Sequence, residues 1–472
     1  MIRITQFLAI TLFLFLTIML SLNYSFFPFL SSYDERRILE VLLVALVLCW
    51  FLFCGDRAVS IISNWKICIK ALLMLVVALG CVSAYLSPAP RYALQEVSLF
   101  CGLFFLSGFT ASLWGKYAES LLKNLVYSVL LGAILYMIGF YTGYVASYLE
   151  NIPLKFPEPF FGFSNIRAFN QFQLWTLALL SLPILSFNIQ RRCLRWGLYL
   201  SLVAWWVLYF YSGSRGVIVA WLSAMLVTAG VYRQLSRPLL VLQLQGAASG
   251  LLIYGLLFQY LTTADPGKIA SQSALRTQTN DRAYLWQQAW EMLGNHPWFG
   301  IGPMHYAWYP NYIAAHPHNS LLQLAAEWGL PATIIILLIF ALGIYRWLSR
   351  FNADSLLEES EFRRNLLVTL FFTLVANSIY SLFDGVIVMP LSQLMLAVVV
   401  GLMLGIFSNQ PYLADMPAKL TPHRIFAGMV LIALVWSVLP DVLPRVCYRN
   451  DLIDNRYHVA GPRFWEDGGI PH

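Results

Sequence analysis

Four of the seven histidines in this 472-residue chain fall between positions 296 and 318: His296, His305, His316 and His318. They stand in His296-Pro297-Trp298-Phe299-Gly300-Ile301-Gly302 and His316-Pro317-His318-Asn319-Ser320. A neutral imidazole, with an ordinary pKa of about 6.5, suits proton abstraction near neutrality. That makes His318 a candidate general base. Two other uses compete with it. His316 and His318 could supply two metal ligands, with Glu327 or Asp281 adding a carboxylate, although no third ligand stands at a diagnostic spacing. They could also cap helix ends or satisfy buried carbonyls.

Arginines point to the same region. Arg215 lies in Tyr211-Ser212-Gly213-Ser214-Arg215-Gly216, a turn between two apolar stretches. A guanidinium at a membrane boundary is costly without an anion or a carboxylate, and its planar fork matches phosphate oxygens in pairs. Arg167, Arg276 and Arg282 fall on the same predicted face and could complete an anion site. Against this, Arg215 could snorkel to lipid headgroups, and any of the others could pair with Asp281 or Glu158. Taken together, outer-face arginines and an imidazole base suit a reaction on a lipid-linked diphosphate. The arginines would stabilise the departing diphosphate while His318 takes a proton from an incoming hydroxyl. Direct displacement of that kind inverts the sugar's anomeric centre and needs no metal or other cofactor.

The elements that must hold these groups are set by composition. Apolar residues make up 59% of the chain and charged residues only 11%, less than half the usual share. Such a chain cannot cover itself with polar side chains, so its solvent is largely lipid. This excludes a secreted disulfide module, a disordered scaffold and a nucleic-acid binder. The predicted fold is an all-α polytopic membrane protein with 12–13 transmembrane helices, read from apolar stretches that begin at 5–22 and end at 425–443. The weakest of them is 390–407, which Pro390 opens close behind Gly385. The first stretch has no small-residue cleavage site after it and is kept as a span. With the N-terminus inside, basic residues such as Arg57, Lys66, Arg191, Arg192, Arg195, Arg346 and Arg350 collect on inner loops. The outer loops come out slightly acidic, so the net charge of +7 is mainly an orientation signal. No two outer-face cysteines are available to pair.

The predicted organisation is an N-terminal bundle (1–261), one large outer loop (262–330), C-terminal helices (331–443) and a polar tail (444–472). A loop as long as 262–330 is usually functional. Within it, Arg282 to Leu293 reads as an amphipathic helix with Trp286, Ala289, Trp290 and Leu293 on a membrane-facing side. Asn319 to Trp328 continues helically until Gly329-Leu330-Pro331 breaks it.

Several of these segments, in this order, resemble the O-antigen ligase superfamily. They are Arg282-x-x-x-Trp286-x-x-Ala289, His296-Pro297-Trp298-Phe299-Gly300-Ile301-Gly302, His316-Pro317-His318-Asn319-Ser320-Leu321-Leu322-Gln323-Leu324 and Glu327-Trp328-Gly329-Leu330-Pro331. Ser212-Gly213-Ser214-Arg215-Gly216 resembles the family's Ser-x-Ser-Arg-Gly turn. The resemblance implies a metal-independent transferase of the bacterial inner membrane with its active site on the periplasmic face. Its donor would be a glycan on undecaprenyl diphosphate. It carries the essential Arg onto Arg215, the loop His onto His318 and a second loop Arg onto Arg282. Arg276, Arg167, His316 and Asn319 are the further expected substrate contacts, Asn319 by fixing the imidazole or a sugar hydroxyl. The acceptor stays open between lipid A–core, a protein such as pilin, and the growing glycan. The tail, with Pro462-Arg463-Phe464-Trp465, goes beyond the minimal ligase pattern and favours a protein or specialised acceptor. A transporter of the same lipid is the opposing expectation. Such a protein would more often carry ionisable residues at mid-span, and few are evident here.

Overall fold

The computed structural model describes residues 2–21, 30–54, 66–150, 160–163, 166–186, 189–260, 282–310, 313–408, 422–447 and 463–470. Arg276, Asp281 and Glu158 lie outside them. The described chain is helical, with no strand among its residues. Its longer helices are α1 (Ile2–Ser21), α2 (Ser32–Cys54), α3 (Ile67–Leu86), α4 (Pro90–Leu149), α5 (Ile166–Leu177), α6 (Arg192–Ser212) and α7 (Arg215–Tyr232). They continue as α8 (Arg237–Gly255), α9 (Arg282–Asn295), α10 (Ser320–Arg350), α11 (Glu361–Tyr380), α12 (Pro390–Ser408) and α13 (Pro422–Cys447).

Nine segments among the described residues are long and apolar enough to cross a membrane. The chain is a polytopic membrane protein. The sixty-residue α4 supplies two of the nine, Pro90–Trp114 and Ser120–Leu149. Arg215–Tyr260 counts once although it holds both α7 and α8. Helices α1, α2 and α11 stand at three other predicted spans. The first half of α2 carries Asp34, Glu35, Arg36, Arg37 and Glu40. Pro390–Ser408, the weakest span from sequence, is a regular helix packed along α4.

Two local features shape the end of the bundle where the histidines lie. Gly213 takes a left-handed φ of 64° after α6, and the Ser214 hydroxyl caps α7 by accepting the Val217 amide N–H. This short turn makes Arg215 the first residue of α7. In α10 the predicted break is present: Gly329 has φ 82° and ψ 166° inside the helix. Pro331 has no N–H for the Glu327 carbonyl, and Leu330 N–H turns to the Pro297 carbonyl instead. The carbonyls so released are taken by the loop: Ala326 O accepts from Ile301 N–H at 2.9 Å and Glu327 O from Gly302 N–H at 3.0 Å. The Phe299-Gly300-Ile301-Gly302 turn is thus stitched into a gap in α10. Gly300 cannot be replaced there, because a Cβ would sit 2.3 Å from the Glu327 carbonyl oxygen.

Helix α9 packs on α10 through Leu285, Ala289, Met292 and Leu293. The stripe predicted from Trp286, Ala289, Trp290 and Leu293 is therefore offset. Trp290 is exposed, whereas Trp286 is half-buried and donates its indole N–H to the Pro317 carbonyl at 3.0 Å. That bond fastens α9 to the His-Pro-His segment, which explains why a Trp stands there without serving as a lipid anchor.

Candidate active site

Four helix N-termini and one helix C-terminus meet around His318. Arg167 is in the first turn of α5, Arg215 opens α7, Arg282 opens α9, and His318 lies just before α10. Asp384 follows the end of α11. Helix N-termini carry unpaired N–H groups and the positive end of the helix dipole, so a cation placed there is adverse unless an anion joins it.

Packing brings these termini together. Helix α11 runs along α7, and Gly216 lets the two approach so closely that a Cβ would come within 2.9 Å of the Tyr380 ring. The Ser320 amide donates to the Ser381 carbonyl at 2.7 Å, tying the start of α10 to the end of α11. His318 itself has φ 52°, a left-handed conformation that costs a non-glycine residue on the order of 1–3 kcal/mol and clusters at functional sites.

The His318 ring is held at both nitrogens. Nδ1 lies 3.0 Å from Asp384 Oδ1, and Nε2 lies 2.5 Å from Arg167 Nη1. Asp384 also accepts the Gly385 amide at Oδ1 (2.8 Å) and the Tyr380 hydroxyl at Oδ2 (2.9 Å). Burial pushes the Asp384 carboxyl up, but the hydrogen bond and charge of His318, with Arg167 beside them, outweigh it and hold the group well below the usual carboxylate range. Burial lowers the His318 pKa from 6.5; the bond to Asp384 opposes this, and the Arg167 and Arg282 charges add to the lowering. The consistent assignment is a neutral imidazole that donates from Nδ1 to an ionised Asp384 and presents Nε2 as the acceptor.

Arg282 is the third cation. Burial depresses it first, Asp384 supports it, and Arg167 and Arg215 repel it. Its Nε is a buried donor with no hydrogen-bond partner among the described residues. Arg167, Arg215 and Asp384 thus all act on Arg282, so positive charge is gathered at this end of the bundle.

The family model of the O-antigen ligase matches residues 200–337, from within α6 to within α10. Over this stretch the chain is similar to the O-antigen ligase family. No curated protein matches the chain significantly. The matched stretch contains Arg215, Arg282, His316 and His318. Arg167 and Asp384 lie outside it and reach His318 from α5 and from the end of α11.

Other predicted contacts take different places. His316 is buried beneath His318, its ring edge-on at 4.2 Å, and its Nδ1 accepts the His318 amide N–H at 3.3 Å. It rests on Gly385, where a Cβ would fall 2.4 Å from the ring. Burial keeps it neutral. Enclosed in this way, His316 supports the base rather than facing a substrate. The expectation that Asn319 fixes the imidazole is also corrected. Its Oδ1 caps α10 by accepting the Leu322 amide at 2.9 Å, and Asp384 holds the imidazole instead. His305, one of the four clustered histidines, accepts the Ala89 amide at 3.1 Å, ahead of α4, and burial lowers its pKa to about 4.

Behind the His318 cluster lies a second network that the sequence did not reveal. Arg463 is 1% exposed and reaches Glu96 at 2.5 Å and Glu327 at 2.6 Å. Glu327 in turn accepts the Tyr306 amide at 2.9 Å and the Gln323 side chain at 3.2 Å. Arg37 binds the Phe464 carbonyl and Glu40, Tyr33 donates to the Arg463 carbonyl, and Asp34 accepts the Glu466 amide. The end of the predicted polar tail is therefore packed inside the bundle. Glu40, in the first half of α2, is fully buried and paired with Arg37. The only sequence signals for this were the Arg463-Phe464-Trp465 run and the cluster of charges opening α2.

Proposed function

We propose that this protein is a membrane glycan transferase that moves an oligo- or polysaccharide from undecaprenyl diphosphate to an acceptor hydroxyl, most like an O-antigen ligase acting on lipid A–core. The site would face the periplasm from the bacterial inner membrane, as the loop charges suggest. The observation that carries this is the clamped His318: Asp384 on Nδ1, Arg167 on Nε2, and the Arg282 and Arg215 guanidinium groups gathered nearby.

In the proposed step the acceptor O–H gives its proton to His318 Nε2 as its oxygen bonds to the anomeric carbon. The bond from that carbon to the diphosphate oxygen breaks, and the electron pair leaves with the diphosphate. Arg215, Arg282 and Arg167 stabilise the charge that develops there. Attack opposite to departure inverts the anomeric centre. Asp384 keeps the imidazole in the Nδ1–H tautomer and stabilises the imidazolium that forms.

The tail's run Arg463-Phe464-Trp465 is buried, so it no longer argues for a protein acceptor. The test is covalent: purified protein with a lipid-diphosphate-linked glycan is offered lipid A–core, pilin or a second glycan. Glycosylated lipid A–core is the expected product. Pilin glycosylation or glycan elongation would reassign the acceptor, and movement of the lipid without a new glycosidic bond would make the protein a transporter.

Two further outcomes follow from the site. Arg215→Lys keeps the charge but loses the fork, and transfer should fall on the order of 10- to 100-fold, the cost of a lost charge-assisted hydrogen bond. A side chain that only snorkels would tolerate Lys, and initial rates distinguish the two. Transfer should also depend on pH in a defined direction. His318 is basic only when neutral, and burial together with Arg167 and Arg282 lowers its pKa from 6.5. As pH falls, kcat/KM should therefore stay level through 6.5 and drop only below it, as the imidazole gains its proton. A decline centred above 6.5 would contradict this environment.

A further inference from the structure

We infer that Arg167 is a donor-operated guard on the base, so that the lipid diphosphate must bind before the acceptor hydroxyl can reach His318. This rests on the proposed function and adds an order of binding to it. His318 is 4% exposed, Asp384 occupies Nδ1, and the one nitrogen able to take a proton is closed by Arg167 Nη1 at 2.5 Å. An acceptor hydroxyl needs that same position within hydrogen-bond reach. Arg167 has to leave Nε2 before the proposed chemistry can occur.

The surroundings supply the reason to leave. Arg167 is only half-buried and sits in the first turn of α5, just beyond the 160–163 segment. Arg36 anchors that segment by donating to the Gly162 carbonyl and stacking over the Phe163 ring at 4.2 Å. Gly162 and Phe163 are thus pinned, while the long Arg167 side chain can change partner. Arg282 and Arg215 repel one another across the site, and Arg167 adds to the charge on Arg282. A diphosphate diester carries two negative charges. It offers Arg167 charge-assisted, forked bonds that a neutral ring nitrogen cannot, so the donor moves the equilibrium by binding the open arrangement more tightly. Without donor the base stays covered, which also spares the site from taking protons off stray hydroxyls.

The test measures His318 reactivity toward diethyl pyrocarbonate in the full-length protein in nanodiscs, resolved by peptide mass spectrometry. Retention of radiolabelled undecaprenyl diphosphate is measured in parallel. Wild-type His318 should react slowly alone and about tenfold faster with undecaprenyl diphosphate bound, the order expected when one charge-assisted hydrogen bond is released. Arg167→Ala and Arg167→Gln should start at the fast rate and gain little from the lipid. Bound lipid with unchanged or slower His318 reactivity overturns the guard and leaves the transferase function standing. A slow rate in correctly inserted Arg167 variants does the same. Failure of the wild type to retain the lipid counts against the transferase function itself, and the guard falls with it. The wild-type arm decides the matter even if neither variant inserts.

Discussion

Replacing Asp384 by Asn is expected to lower glycan transfer about 10³- to 10⁴-fold while the protein inserts and binds its lipid as before, the scale known for an orienting carboxylate changed to an amide beside a catalytic histidine. Asp384 makes four contacts of different kinds. Its Oδ1 receives His318 Nδ1 and the Gly385 amide, its Oδ2 receives the Tyr380 hydroxyl, and its charge lies in the field of Arg167 and Arg282. An Asn of equal size keeps an oxygen for one donor but must point its NH₂ at another. If that NH₂ faces His318, Nδ1 becomes the acceptor and Nε2 carries the hydrogen, which is the wrong tautomer for a base. Asp384→Glu would keep the charge but displace the ring, and should recover part of the loss only if geometry has some slack. Rates measured at saturating donor separate this effect from binding. An Asn variant within tenfold of wild type would remove Asp384 from the mechanism.

The second large effect concerns stability. Arg463→Ala leaves Glu96 and Glu327 facing each other without the cation that joins them, at distances that were 2.5 and 2.6 Å from Nη2. Breaking a buried ion pair by removing one partner typically costs about 3–5 kcal/mol, because the remaining charge stays desolvated. The unfolding midpoint in detergent should drop sharply. Transfer should fall with it, since Glu327 also holds the Tyr306 amide and its backbone carbonyl anchors Gly302. A triple variant, Arg463→Met with Glu96→Gln and Glu327→Gln, should regain much of the stability, because no unpaired charge remains. If Arg463→Ala melted like the wild type, the tail would not brace the bundle.

What could be read in advance follows from how each feature is encoded. Apolar runs and their breaks are local, so the helices, the Gly213 turn and the Gly329-Leu330-Pro331 interruption were visible residue by residue. His318, Arg215 and Arg282 stood out because charged and titratable groups are scarce in such a chain. Asp384 was not legible as their partner. It is separated from His318 by the whole of α10 and α11, and only lateral packing returns it, through Gly216 on Tyr380 and Gly385 on His316. Hydropathy records that a helix is apolar, not which neighbour it meets. The burial of Arg463 was hidden for the same reason: its counter-charges, Glu96 and Glu327, belong to α4 and α10. That Asn319 caps α10 was not legible because a capping side chain and a substrate contact have the same appearance before Ser320. Trp286 and Trp290 read alike in sequence, yet one is bonded to Pro317 and the other is exposed.

The most direct test of the base assignment compares wild-type protein and His318→Ala in vesicles of defined composition, loaded with an undecaprenyl-diphosphate-linked glycan and supplied with acceptor. Insertion and donor retention are checked in both. The wild type should form the new glycosidic bond, and the variant should retain donor and form essentially none. Transfer by His318→Ala at the wild-type rate would contradict the account, because His318 Nε2 is the proposed proton acceptor.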